Sequence, residues 1–130
     1  MIVVDSSVWI NHLRDVGTPT DRRLEAMLHE EIPLAITDVV YTELLRGALT
    51  KSELARIRLR LDQTTILRMR ELSDFEFAAE LHHAARENGQ TVRQATDCMI
   101  AAVCIREKLP LLHDDADFDK IADVSKLQVA

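Results

Sequence analysis

Four carboxylates stand where a folded chain leaves an acid few ways to stay solvated: Asp5, Glu43, Asp97 and Asp115. Asp5 directly follows the β-branched run Ile2-Val3-Val4, which places it at the carboxyl end of a first strand. Its plain structural alternative is to cap a helix beginning at Ser6 or Ser7. Glu43 has Val39 and Val40 four and three residues before it and Gly47 four after, so it lies on or beside an apolar helix face. A carboxylate there costs on the order of several kcal/mol unless it is paired, with a bound cation or with a neighbour such as Arg46. Asp97 is followed by Ile100, Ala101 and Cys104 at helical spacing and heads an inward stripe. A helix N-terminus also favours an anion there without any chemistry. Asp115 belongs to His113-Asp114-Asp115-Ala116-Asp117-Phe118, an acidic turn after the apolar pair Leu111-Leu112, anchored by Phe118.

Carboxylates that converge repel one another and raise each other's pKa values unless a cation neutralises them. An all-oxygen set without Cys or obligatory His selects Mg²⁺ or Mn²⁺ over zinc or copper. Such ions activate water and stabilise the charge that develops on a phosphate and its leaving oxygen, which is the chemistry of phosphodiester hydrolysis.

The elements that must position these acids alternate between strand and helix. Residues 2–4 read as a strand feeding a helix with Val8, Trp9 and Leu13 inward, and after the Gly17-Thr18-Pro19 break a second helix carries Leu24, Met27 and Leu28. Pro33 to Ile36 reads as a second strand, and Thr37-Asp38 caps a helix running to Gly47. Thr50 with Glu53 has capping-box spacing and opens a helix to about Leu61, followed by a strand over 64–67. Ser73 with Glu76 has the same spacing and predicts a helix carrying Phe77, Leu81 and Ala84 that stops near Asn88-Gly89. A helix over 95–107, a strand over 110–112, a short helix over 118–122 and a terminal strand over 127–129 complete the pattern. Short strands separated by helices imply parallel pairing, hence a layered α/β domain with helices on both faces and ligands at the carboxyl ends of the strands.

Composition sets the outer bounds. The chain has 130 residues, the length of a single domain over 1–130, and 47% are hydrophobic and 29% charged, a globular balance. Its apolar runs are too short for a membrane span and its start lacks the features of a signal peptide, so a cytoplasmic protein is expected. Cys98 and Cys104 read as small buried hydrophobes. The net charge of −6 argues against a nucleic-acid partner until its distribution is considered. Residues 46–70 hold seven Lys or Arg against Glu53 and Asp62, whereas 114–123 hold five Asp and one Lys. The first region could grip a phosphate backbone or be a solvated helix face, and the second could hold cations.

In these contexts, Ile-Val-Val-Asp5-Ser-Ser-Val-Trp, Thr-Asp-Val-Val-Tyr-Thr-Glu43-Leu-Leu-Arg-Gly, Ala-Thr-Asp97-Cys-Met-Ile-Ala-Ala and Leu-Leu-His-Asp-Asp115-Ala-Asp-Phe118, the chain resembles the PIN domain, and specifically the VapC toxins of bacterial toxin–antitoxin pairs. The resemblance runs through nearly the whole chain. It implies a three-layer α/β/α fold with a short, mainly parallel sheet of four to five strands. It implies that Asp5, Glu43 and Asp97 hold Mg²⁺ or Mn²⁺, that Asp115 is the fourth acid, and that Asp117 is an extra acid for a second ion. Ser7 matches a hydroxyl residue near the metal, and Arg46 a basic residue beside the site. Endonucleolytic cleavage of RNA, a homodimer and inhibition by a cognate antitoxin follow from the resemblance alone. His113 departs from the family, which often has Thr there; as a residue it reads as a partly buried, hydrogen-bonded His. His82 and His83 read as solvated helix-face residues.

Two other classes place an Asp after a first parallel strand. A haloacid-dehalogenase-type phosphatase wants a second Asp at position 7, which is Ser, and a response-regulator receiver wants an acidic pair before the first helix and a Lys after a late strand. A PIN-like domain that binds RNA or a partner without cutting is the non-enzyme alternative. The RNA target and the choice between Mg²⁺ and Mn²⁺ are not written in the sequence.

Overall fold

The aliphatic runs that open the chain and recur three more times pair as one parallel sheet. In the computed structural model, which describes residues 1–130, the elements in chain order are β1 (Ile2–Val4), α1 (Ser6–Leu13), α2 (Pro19–His29), β2 (Leu34–Thr37), α3 (Asp38–Arg46), α4 (Lys51–Leu61), β3 (Thr65–Leu67), α5 (Glu71–Glu87), α6 (Ala95–Glu107), β4 (Leu111–Leu112) and α7 (Ala116–Asp123). The strand order is β3-β2-β1-β4. Val3 pairs with Ala35 on one side and with Leu111 on the other, and Ile36 pairs with Ile66. From β1 to β3 the chain steps one way across the sheet, then α5 and α6 carry it back past β2 and β1 to β4. Crossovers between parallel strands are right-handed, so this reversal puts α5 and α6 on the face opposite the earlier helices. The helices pack accordingly, α1 with α2 and α3 in one group and α5, α6 and α7 in the other, with α3 meeting α6.

Val3, Val4, Ala35, Ile36 and Leu111 are fully buried, as strands covered on both faces must be. They join a core of 27 residues that includes Trp9, Leu24, Ile100, Cys104 and Phe118. Cys98 and Cys104 are buried and free, and burial pushes their thiols up to about 11 and about 12, so both act as hydrophobes. No helix is long and apolar enough to cross a membrane.

Three elements differ from the sequence expectation. The helix expected to open at Ser73 begins at Glu71, because Asp74, not Ser73, reaches back to accept from the Arg70 N–H at 2.6 Å. Its inward stripe is therefore Asp74, Ala78, Leu81 and Ala85, with Ala84 turned partly outward. The helix expected at 118–122 begins at Ala116, since Asp115 caps it by accepting from the Asp117 N–H at 3.0 Å. The terminal strand reduces to a single parallel bridge, Leu111 with Val129, although Leu111 N–H also donates to the Gln128 carbonyl at 2.9 Å. Lys108, which ends α6 in the left-handed region at φ 56°, turns the chain toward β4.

Candidate active site

Asp5 leaves the end of β1 and does two things at once. Its Oδ2 accepts from the Ser7 N–H at 3.0 Å and the Ser7 hydroxyl at 2.6 Å, capping α1, while the side chain stays 4% exposed among its neighbours at the carboxyl edge of the sheet. Ser7 Oγ accepts in turn from the Asp114 N–H at 3.0 Å, and the Asp5 N–H donates to the Leu112 carbonyl at 2.9 Å. One hydroxyl thus ties the segment after β1 to the segment after β4. Asn11 and Thr20 reinforce that tie by donating to Asp114 Oδ2 at 3.1 and 2.5 Å.

Glu43 reaches the same edge from α3, which Thr37 caps by accepting from the Val40 N–H at 3.1 Å. It is half-buried and takes a 3.4 Å hydrogen bond from the Ser6 hydroxyl. Arg46, the other partner its sequence position offered, is exposed and lowers the Glu43 pKa only as a nearby charge. Ser6 was not singled out by its sequence position, because its partner lies 37 residues away. A groove of about 480 Å³ opens beside Glu43 between α3 and the start of α6, lined also by Val39, Thr42, Arg46, Gln94 and Met99.

Asp97, Asp115 and Asp117 can each bring a carboxylate oxygen within 4.8 Å of the others. Asp97 lies in the first turn of α6 and is 5% exposed, and its Oδ2 is buried with no hydrogen-bond partner. Asp115 is half-buried, and its N–H donates to His113 Nδ1 at 3.1 Å. That bond makes Nδ1 the acceptor, so a neutral His113 carries its proton on Nε2, 3.4 Å from Asp119 Oδ1. His113 is only 6% exposed at the side chain and packs against Phe118, so it steadies the turn from below. Asp117 is occupied by the protein itself, through ion pairs to Arg93 and Lys120. Arg93 is a second residue that sequence spacing missed.

The electrostatics divide the acids into two sets. Burial, then the charges of Asp115, Asp5, Asp117 and Glu43, push the Asp97 carboxyl up to about 7. Burial raises Asp5 above the usual carboxylate range against the lowering hydrogen bonds of Ser7, and burial with the Asp5 charge raises Glu43. Asp117 goes the other way: burial alone would raise it, but hydrogen bonds from Lys120 and Arg93 hold it below its ordinary value. Asp5, Glu43 and Asp97 are therefore acids short of positive charge, with one orphaned oxygen on Asp97, and together with Asp115, whose Oδ1 meets Arg93 Nη2 at 3.4 Å, they form a donor set that fits a hard divalent cation.

The family model of the PIN domain matches residues 2–124. The chain belongs to the PIN-domain family. This PIN domain is 35% identical over 131 residues to ribonuclease VapC11 of Mycobacterium tuberculosis, covering 100% of this chain and 98% of that protein. The VapC ribonuclease Mb1587 of Mycobacterium bovis stands at the same identity and coverage. Among solved structures, the PIN domain superposes on VapBC2 from Rickettsia felis with a TM-score of 0.79 at 16% identity, covering 100% of this chain and 98% of that one. It also matches VapBC-5 from Mycobacterium tuberculosis, a member of a toxin–antitoxin family, with a TM-score of 0.67 at 25% identity, covering 98% and 95% of the two chains.

Proposed function

We propose that this PIN domain, acting over residues 1–130 as one catalytic unit, is a divalent-cation-dependent endoribonuclease and the toxin of a toxin–antitoxin pair. The observation that carries the reading is the gathering of Asp5, Glu43, Asp97 and Asp115 at one sheet edge with Asp97 Oδ2 left without a partner. RNA as substrate is supported by the names of its full-length relatives, both ribonucleases. An antitoxin partner is supported by the structural neighbours, which are VapBC complexes. A homodimer, inhibition by the cognate antitoxin and a cytoplasmic location belong to the same reading.

Asp5, Glu43, Asp97 and Asp115 would hold the cation, Mg²⁺ first and Mn²⁺ as its substitute. When bound, such an ion supplies charge neutralisation at a scissile phosphate and acidifies water for attack on it. The chain's own groups do the rest. Ser7 fixes the Asp5 carboxylate through two hydrogen bonds, and Ser6 steadies Glu43. Arg46, exposed at the mouth of the groove beside Glu43, offers a cation to the RNA backbone.

Purified protein incubated with total cellular RNA and Mg²⁺ or Mn²⁺ tests this directly. Discrete fragments are expected that disappear with EDTA, and Asp97→Asn should lower the rate by roughly a hundredfold or more. Cleavage that survives both would sink the carboxylate mechanism, and cation binding without cleavage would redirect the reading to an RNA-binding domain.

A further inference from the structure

Asp117 is the member of the acidic cluster that the protein neutralises from within. Its Oδ2 accepts from the Arg93 backbone N–H at 3.2 Å and from Arg93 Nε at 3.1 Å, and its Oδ1 accepts from Lys120 Nζ at 2.8 Å. Lys120 also donates to the Thr91 carbonyl at 3.0 Å, so the segment entering α6 is pinned to α7 at both Thr91 and Arg93. The Asp117 side chain is 2% exposed and has both oxygens engaged by cationic side chains. It has little left to offer a divalent ion, in contrast to Asp97 Oδ2.

The guanidinium held by that carboxylate is otherwise open. The Arg93 side chain is 72% exposed, and its Nη2 makes only a long 3.4 Å contact with Asp115 Oδ1. Nε is fixed, so the edge carrying Nη1 and Nη2 is aimed outward beside Asp115 rather than left to wander. A planar fork of this kind matches the oxygens of a phosphodiester, and an anchored one loses less freedom on binding it.

We propose that Arg93 is a phosphate-binding residue of the cleavage site and that Asp117 is its positioning residue rather than a cation ligand. The proposal rests on the ribonuclease reading above. Before a cation enters, Nη2 rests against Asp115. Once the charge of Asp115 is engaged elsewhere, that edge turns to an RNA phosphate while Nε stays on Asp117.

Two measurements on the full chain test this. Mn²⁺ binding followed by calorimetry should be lost in Asp97→Asn, kept in Asp117→Asn, and tightened about threefold in Arg93→Ala, which removes a competing charge from Asp115. Binding of a fluorescein-labelled oligouridylate, measured in Ca²⁺, should weaken about tenfold in Arg93→Ala, with the slope against log salt reduced by about 0.7. Arg93→Lys should restore that slope but only part of the affinity, since it returns the charge without the fork. Asp117→Asn should weaken binding like Arg93→Ala, and the double variant should be no worse than either. Loss of Mn²⁺ binding in Asp117→Asn would make Asp117 a cation ligand and overturn the proposal. So would an Arg93→Ala protein whose affinity and salt slope match the parent while the parent cuts RNA. A parent protein that neither binds nor cuts RNA removes the ribonuclease reading itself, and this inference with it.

Discussion

Ser7 shows how one hydroxyl orients an acid at the joined strand ends. It donates to Asp5 Oδ2 at 2.6 Å and accepts from the Asp114 N–H at 3.0 Å, so it links the segments that follow the paired strands β1 and β4. Ser7→Ala should therefore lower RNA cleavage about tenfold and weaken Mn²⁺ binding by a similar factor, while leaving the thermal melt nearly in place. An unchanged Mn²⁺ affinity would mean that burial and the Ser7 backbone N–H orient Asp5 without the hydroxyl. The acids themselves stood out in the sequence because Asp5 and Asp115 follow strands, Asp97 heads an apolar helix stripe and Glu43 lies beside one, and those local patterns survive folding. Ser6 and Arg93 were not legible, because their partners lie 37 and 24 residues away and nothing in the spacing announces them. Asp117 was read as one more acid, and only its contacts separate it from the other four.

At the level of elements, α5 is fastened to α6 by a polar hub rather than by packing alone. Arg106 Nε donates to both oxygens of Asp74, at 3.1 and 3.2 Å, its Nη2 donates to the Arg68 carbonyl at 2.8 Å, and it also pairs with Glu107. Burial alone would raise the Asp74 pKa, but hydrogen bonds from Arg70 and Arg106 and their charges hold it low. Arg106→Met takes the guanidinium from a buried carboxylate and should cost about 3 kcal/mol in urea unfolding. Adding Asp74→Leu to it should recover part of that loss, and a double variant no more stable than the single would show that packing, not charge, fastens the helices. The same hub explains why the start of α5 was misread. Ser73 and Glu76 carry the capping-box letters, yet Asp74 is drawn inward by Arg106 on another helix and caps from one turn up, which no local pattern encodes. The strands, α3, α4 and α6 were legible because the aliphatic runs of the strands, the side-chain caps of α3 and α4 and the apolar stripe of α6 are local.

Across the whole molecule, cation-free stability should fall as pH rises toward neutrality. Asp97 has a folded pKa of about 7 against 3.8 in an unfolded chain, so the folded state binds the extra proton between those values and loses that advantage as pH climbs through 7. Asp5 and Glu43 shift in the same direction. Asp74 and Asp117 are lowered, so their contribution is present above the ordinary carboxylate value and vanishes in acid. The melting temperature in EDTA should therefore be lower at pH 8 than at pH 5.5, and excess Mg²⁺ should raise it more at pH 8. An Mg²⁺ effect of equal size at both pH values would show that the carboxylates do not form the cation site. The strand order has a consequence for the chain while it is still being made. β1 is the first strand to emerge, yet one of its two neighbours is β4, at Leu111–Leu112, and Asp115 comes later still. Through most of synthesis Asp5 therefore waits beside an incomplete sheet, with its partners at 97 and 115 not yet delivered. On the ribonuclease reading, a chain terminated before β4 is therefore expected to cut no RNA, because the sheet edge that carries Asp5 and Asp115 is complete only when the last strand has docked.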